Sequence, residues 1–209
     1  MRLKETIWLF IHHHRRNRVV ARLARLCKNL HRASEHPGYD VKRNGESSVL
    51  SRVVESAAPV LFDVGANIGD WTAMARGHYP DAQLHSFELN PVTAKQLAGR
   101  FGGQPGIAVH AFGLAAAAGD VSFFAYEGEA SVLSGLRAPL HSHVPHRVER
   151  ARVRTGDDVC RELKLECVDF LKVDAEGADF EVLMGFSELL NSPGGVQAIQ
   201  FEHEGGRYL

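Results

Sequence analysis

Acidic residues follow two predicted buried strands in this chain, and one of them leads into a glycine-containing turn. Asp63 closes the strand in LFDVGANIGDW, and Glu88 closes the next strand in HSFELNP. After Asp63 come Gly65, Asn67, Gly69 and a predicted helix. A strand, a glycine-containing turn and a helix form the arrangement with which α/β proteins hold nucleotide-like cofactors. We therefore expect Asp63, Gly65, Asn67, Gly69 and Glu88 to bind a cofactor.

The residues of the turn favour a cofactor without phosphates. A dinucleotide site needs G-x-G-x-x-G, but Asn67 and Asp70 stand at the second and third glycine positions. Because an anionic Asp70 beside a pyrophosphate is unfavourable, an NAD-dependent oxidoreductase is the weaker alternative. S-adenosylmethionine fits better, since its carboxylate can accept backbone N–H groups and its cationic groups tolerate Asp63. Glu88 is then placed to accept hydrogen bonds from the ribose diol.

A second group of charged residues follows a later predicted strand. Lys172 and Asp174 are two positions apart and so share a face, and Glu176 lies in the turn beyond. A carboxylate within reach could take the proton of a hydroxyl acceptor, so Asp174 and Glu176 are candidate catalytic residues. Their alternative role is to hold the fold or the methionine end of the cofactor. Lys172 is favoured as their charge partner rather than a base.

Candidate substrate-binding residues lie at strand ends: Lys172, and Glu202 and His203 after the fifth predicted strand. No metal site is predicted. The histidines at 12–14 cannot converge on one ion from one helix face, and those at 141–146 have no nearby carboxylate.

Alternation of strands and helices predicts the architecture. PVLFDVG, AQLHSFE, IAVHAFG, VDFLKVD and VQAIQFEHE are predicted strands, most of them separated by helices, which indicates parallel strands with right-handed crossovers. DVSFFAYE and RVERARVR have no helix between them and predict an antiparallel excursion. In the helix after VDFLKVD, we expect Phe180, Leu183 and Met184 to pack in the core.

Charge is distributed unevenly between the N-terminal segment and the rest of the chain. The net charge of 209 residues is −1, which gives the whole chain no nucleic-acid footprint. Residues 1–43, however, hold 11 Lys/Arg against three acidic residues. We expect a basic helical arm over residues 1–37, packed on the acidic body or in weak contact with anionic membrane surfaces.

The remaining compositional features predict a cytoplasmic protein. The three cysteines have no metal or redox spacing and are expected to be reduced. The apolar run IWLFI is too short for a signal peptide or a membrane-spanning helix.

Several blocks together resemble the FkbM-type S-adenosylmethionine-dependent methyltransferases. They are NGE, FDVGANIGDW, SFELNP, VDFLKVDAEGADFEVLMGF and AIQFEHEGG, in the family's order. The block at residues 172–177 is the most specific. The resemblance implies a Rossmann-like class I methyltransferase sheet with helices on both faces over residues 38–209. It also implies S-adenosylmethionine as cofactor and O-methylation of a hydroxyl on a sugar or natural-product-like small molecule.

The C-terminal part departs from the family pattern. Family members continue past QFE with a helix and a final strand pair, so we expect this sheet to lack that pair. The alternative function is therefore a cofactor-binding or inactive, truncated methyltransferase-like protein.

Overall fold

The computed structural model describes residues 45–126 and 146–201. Its helices are α1 (Glu46–Val53), α2 (Asp70–His78), α3 (Pro91–Phe101), α4 (Gly156–Leu163), α5 (Asp179–Met184) and α6 (Ser187–Asn191). Its strands are β1 (Val60–Val64), β2 (Gln83–Phe87), β3 (Ile107–His110), β4 (Gly113–Leu114), β5 (Gly119–Tyr126), β6 (His146–Arg154), β7 (Phe170–Val173) and β8 (Ile199–Phe201).

The central element is a parallel sheet in the order β3-β2-β1-β7-β8. Every neighbouring pair in it is parallel, as predicted from the alternation of strands and helices. The strand order reverses between β1 and β7, whose register places Asp63 beside Lys172. In open α/β sheets, ligands bind at the carboxyl ends of the strands where the order reverses. The topology therefore indicates a ligand site at the carboxyl ends of β1 and β7.

Helices cover both faces of this sheet, which confirms the predicted layers. On one face, α4, α5 and α6 contribute Val159, Val182 and Leu189 to a core with the sheet residues Phe62 and Leu171. On the other face, α2 and α3 pack against the sheet: the Trp71 ring of α2 stacks on Phe170 of β7, and Leu97 and Phe101 of α3 lie near Ile107 of β3. The apolar faces of the sheet are thus both buried, as parallel sheets require.

A second, smaller sheet has the order β4-β6-β5. Its main part is the antiparallel pair of β5 and β6, which confirms the predicted excursion. Gly113 of β4 lies against Leu89, because a Cβ at Gly113 would stand 2.8 Å from the Leu89 Cδ1 atom. The small sheet therefore adjoins the carboxyl end of β2.

The helix after β7 differs from the prediction. It is broken at Gly185 into α5 and α6. Leu183 packs against the core as predicted, but Phe180 and Met184 are exposed by 70% and 50%. The buried positions are Asp179, Val182 and Phe186, spaced by three and four residues. The inward face of α5 carries Val182 in the core and the Asp179 carboxylate, which accepts backbone N–H groups, so Phe180 lies on the outward face.

Some predicted features lie outside the described residues: Glu202, His203, the basic arm over residues 1–37 and its boundary with residues 38–209. Whether a further strand pair is lacking also stays a prediction. Within the part of the chain that the structure describes, no helix has the length and apolarity needed to cross a membrane.

Candidate active site

The sheet gathers most of the predicted site residues at one edge. The carboxyl ends of β1, β2 and β7 carry Asp63, Glu88 and Asp174 respectively. We call this edge the carboxyl edge, the segment of residues 65–69 the β1 turn, and the segment of residues 174–178 the β7 turn. These positions agree with the sequence-based grouping of two acids near a glycine-containing turn.

Backbone hydrogen bonds and close packing hold the β1 turn. The Gly65 and Ala66 N–H groups both donate to the Phe87 carbonyl, at 3.0 and 2.9 Å. Gly65 has φ 76°, and a Cβ there would overlap the Asp174 carbonyl oxygen. Gly69 has φ 85°, and a Cβ there would overlap side chains of α3. Both glycines are therefore required by neighbouring protein atoms, apart from any role toward a cofactor.

Glu88 connects the β1 turn to the start of α3. Its Oε2 atom accepts from the Asn67 N–H at 2.8 Å, and its Oε1 atom accepts from the Asn90 N–H at 2.8 Å. The side chain is 8% exposed, and burial raises its pKa while the N–H groups of Asn90 and Asn67 oppose that rise. Asn67 itself has φ 50°, a conformation that asparagine tolerates better than most residues. Each carboxylate oxygen keeps a further lone pair for a ligand hydroxyl.

A buried polar chain runs along the face of the sheet that α2 covers. Thr72 of α2 donates to Asp63 Oδ2 at 2.7 Å and lies 2.8 Å from the Ser86 hydroxyl. The Lys172 Nζ atom lies 3.2 Å from Asp63 Oδ1 and 3.3 Å from Asp174 Oδ2. The contact to Asp63 has an ion-pair distance without the alignment of a hydrogen bond. Lys172 thus pairs with both Asp63 and Asp174, and the sequence predicted the pairing with Asp174.

Asp63 and Asp174 differ in their access to a ligand. The Asp63 side chain is completely buried, whereas that of Asp174 is 39% exposed. Asp63 can therefore influence a ligand through its neighbours, while Asp174 can contact one directly.

The β7 turn is held to the sheet by a bond from the Asp174 N–H to the Val64 carbonyl at 3.0 Å, and beyond that residue by a side chain. Asp179 Oδ1 accepts from the Ala175 N–H and its Oδ2 accepts from the Gly177 N–H, both at 3.3 Å. Burial raises the pKa of this carboxyl. The N–H groups of Ala175 and Gly177 oppose that rise, and the negative charge of nearby Asp174 adds to it. Within the turn, Glu176 has φ 48°, an uncommon conformation for a residue with a side chain. The arrangement presents Glu176 at the carboxyl edge with a half-buried side chain.

Helix α2 begins directly after the β1 turn and has no side-chain cap. Its N-cap residue is Gly69, which has no side chain to accept from the first N–H groups of the helix. Uncapped N–H groups at a helix start bind anions such as carboxylates. Arg100 of α3 donates to the Ile68 carbonyl at 2.9 Å and pairs with the Asp70 carboxylate at 2.7 Å.

Sequence reasoning missed three polar residues of the site: Thr72, Ser86 and Asp179. Thr72 and Ser86 are completely buried, and Asp179 is 9% exposed. A polar residue at a helix position that faces the sheet was the available signal for Thr72, and an acid at the start of a helix was the signal for Asp179. Among the described residues, no group of three or more His, Cys, Asp or Glu side chains could hold a metal ion.

Proteins of known activity resemble this chain over much of its length. It is 30% identical over 156 residues to the hexuronic acid methyltransferase AglP of Haloferax volcanii, covering 71% of this chain and 59% of that protein. It is 27% identical over 152 residues to the 2-O-methyltransferase NoeI of Sinorhizobium fredii, covering 66% of this chain and 61% of that protein. The chain thus spans about three-fifths of the length of these curated relatives.

One solved structure and one family model complete the comparison. The crystal structure of Methyltransferase FkbM from Methylobacillus flagellatus KT matches 66% of this chain and 32% of that chain, with 18% identity and a TM-score of 0.45. The family model for the methyltransferase FkbM domain matches residues 63–207, from Asp63 at the end of β1 through the whole carboxyl edge. This chain belongs to the FkbM methyltransferase domain family.

Proposed function

We propose that this chain is an S-adenosylmethionine-dependent methyltransferase that methylates a hydroxyl oxygen of a sugar or natural-product-like small molecule. The observation that carries the proposal is the set of groups at the carboxyl edge, where the strand order reverses. They are the buried Glu88 carboxylate, the uncapped start of α2 and the partly exposed Asp174 carboxylate. Two similar proteins, a hexuronic acid methyltransferase and a 2-O-methyltransferase, support the sugar-like class of acceptor.

The residues present fit S-adenosylmethionine group by group. The uncapped N–H groups of α2 suit its carboxylate, and Glu88 suits its ribose diol. Asp174 suits its ammonium group, because its Oδ1 atom has no hydrogen-bond partner among the described residues. When bound, the cofactor supplies a methyl group activated by the sulfonium.

The chain's own contribution to the reaction is alignment and proton removal. A hydroxyl acceptor loses its proton as its oxygen takes the methyl group, and a carboxylate at the carboxyl edge can receive that proton. Asp174 and Glu176 are the two candidate acids there, both with side chains that solvent reaches. Because Asp174 is assigned to the ammonium group, Glu176 is the acid that we propose for proton removal, and Asp174 is the alternative if the ammonium group binds elsewhere. Holding the acceptor oxygen in line with the methyl group supplies most of the acceleration.

Glu202 and His203 keep their proposed role in binding the methyl acceptor, and the basic arm keeps its proposed role in surface contact.

Calorimetric titration tests the cofactor assignment. We expect wild-type protein to bind S-adenosylmethionine and not NAD. Glu88→Gln retains the size of the side chain but places an amide N–H₂ against the N–H of Asn67 or Asn90, so we expect at least tenfold weaker binding, about 1.4 kcal/mol.

The matched control for this variant is Glu55→Gln, at an exposed position before β1, which we expect to bind like wild type. Tight binding of NAD, or equal affinities of a folded Glu88→Gln variant and wild type, would contradict the assignment.

A further inference from the structure

Lys172 is a buried ammonium shared between two turns. The residue is 5% exposed, and its Nζ atom lies within 3.3 Å of both Asp63 Oδ1 and Asp174 Oδ2. A buried ammonium is tolerated only where it is paired, and a buried carboxylate is too. We call the three side chains Asp63, Lys172 and Asp174 the ionic bridge.

The members of the ionic bridge belong to different parts of the site. Asp63 is the penultimate residue of β1, just before the β1 turn, and Asp174 is the first residue of the β7 turn. The two turns also touch, since a Cβ at Gly65 would overlap the Asp174 carbonyl oxygen. Backbone contact sets how close the turns lie, but only the ammonium fixes the Asp174 carboxylate within the described contacts.

We propose that Lys172 is a positioning residue: by binding Asp174 Oδ2 it orients this carboxylate so that Oδ1 is the oxygen available to a ligand. The inference rests on the proposed function and deepens it, because it moves Lys172 from substrate contact to the orientation of Asp174. Asp63 is completely buried and also accepts from Thr72, so it does not contact a ligand itself. Its charge holds Lys172 in place and also adds to the effect of burial in raising the pKa of Glu88.

The stability of Lys172→Met tests the ionic bridge. Methionine retains most of the apolar stem but leaves two carboxylates without their shared cation. The folded variant then binds protons more readily than its unfolded chain, so its stability falls as pH rises. We expect its deficit against wild type in denaturant unfolding to be larger at pH 8 than at pH 5. Lys95→Met, at an exposed position of α3, is the control and should show no deficit at either pH.

The double variant Asp63→Asn/Lys172→Met separates positioning from stability. Asparagine can still accept from Thr72 but carries no buried charge, so we expect most of the stability at pH 8 to return. Asp174 still lacks the ammonium in this variant. We therefore expect both Lys172→Met and the double variant to bind S-adenosylmethionine at least tenfold more weakly than wild type, measured by calorimetry on folded protein.

Three outcomes would overturn the inference. The first is a Lys172→Met deficit that is equal at both pH values. The second is a cofactor affinity that returns together with stability in the double variant, because Lys172 would then have only a structural role. The third is a wild-type protein that binds no S-adenosylmethionine, which refutes the proposed function and the positioning role with it. In that case the pH comparison still shows whether the ionic bridge exists, so the two failures are distinguishable.

Discussion

The β1 turn and the β7 turn lie side by side at the carboxyl edge but are held by different forces. In the β1 turn, the N–H groups of Gly65 and Ala66 donate to a strand carbonyl, and the glycines pack against neighbouring atoms. In the β7 turn, the carboxylate of Asp179 accepts from the Ala175 and Gly177 N–H groups, and Lys172 binds the Asp174 side chain.

This difference predicts different sensitivities. The shape of the β1 turn depends largely on backbone contacts and sterics, which do not titrate, although the Glu88 carboxylate also accepts from the Asn67 N–H of this turn. The β7 turn depends on carboxylates and an ammonium, so it responds to pH and to changes of charge. The acids that we propose to contact a ligand or take a proton, Asp174 and Glu176, thus lie in the turn that is more sensitive to charge. The neighbouring β1 turn is fixed mainly by steric contacts.

The largest expected effect comes from steric change in the β1 turn. In Gly65→Ala, the new Cβ overlaps the Asp174 carbonyl oxygen, and the residue must also keep φ 76°. We expect a loss of about 3 kcal/mol or more in free energy of unfolding, measured with denaturant.

The control for this substitution is Gly103→Ala. Gly103 has φ 80° but no atom within 4 Å of a Cβ, so only the backbone strain remains and about 1–2 kcal/mol is lost. Equal losses in the two variants would mean that the close approach of the turns contributes nothing.

A smaller effect is expected from Asp179→Ala in the β7 turn. It leaves the Ala175 and Gly177 N–H groups without their acceptor, for a loss of about 2 kcal/mol and faster hydrogen exchange at these two amides. Asp157 offers a matched control, since its carboxylate accepts from the Glu188 and Leu189 N–H groups at 2.9 and 3.0 Å. Asp157→Ala should destabilise similarly while exchange at Ala175 and Gly177 stays slow. Unchanged exchange in Asp179→Ala would show that the β7 turn is held by other contacts.

The smallest effect at neutral pH concerns a histidine pair away from both turns. His85 Nδ1 lies 3.1 Å from His110 Nε2, and burial lowers the pKa of each to about 4. The unfolded chain, with pKa values near 6.5, therefore takes up protons first, and stability is lost as pH falls from about 6.5 toward 4.

His110→Phe removes one of these two titrations and can keep the ring stack on Phe87, whose centroid lies 4.5 Å away. We expect a change of about 1 kcal/mol at pH 7 and a shallower loss of stability in acid, followed by denaturant unfolding across that range. An equally steep loss in the variant would show that the titration of His110 does not cause the acid sensitivity.

Local sequence patterns predicted the strands and the glycine-containing turn well. Alternating strands and helices, and the position of Asp63 and Glu88 at strand ends, follow from short-range signals that the structure retains. The antiparallel pair of β5 and β6 was also predictable, because no helical pattern separates the two runs.

Contacts between distant segments were not predictable in the same way. The stripe of Phe180 and Met184 has helical spacing, but the buried face of α5 carries Val182 and the inward carboxylate of Asp179 instead. The bond from Thr72 to Asp63 depends on how α2 lies on the sheet. The sequence predicts Gly65 as a cofactor-turn residue, while its steric requirement comes from Asp174, more than 100 positions later in the chain.

The pairing of β1 with β7 has a consequence for how the protein is made. The Val60 N–H donates to Asp169 Oδ2 at 2.7 Å across 109 positions of sequence. During translation, β1 and β2 can pair early, but the partner strand for the other side of β1 leaves the ribosome much later. Closing so long a loop is entropically costly and slow. Until β7 arrives, the nascent chain carries an exposed flank of β1, which is the period when a chaperone would have most to bind.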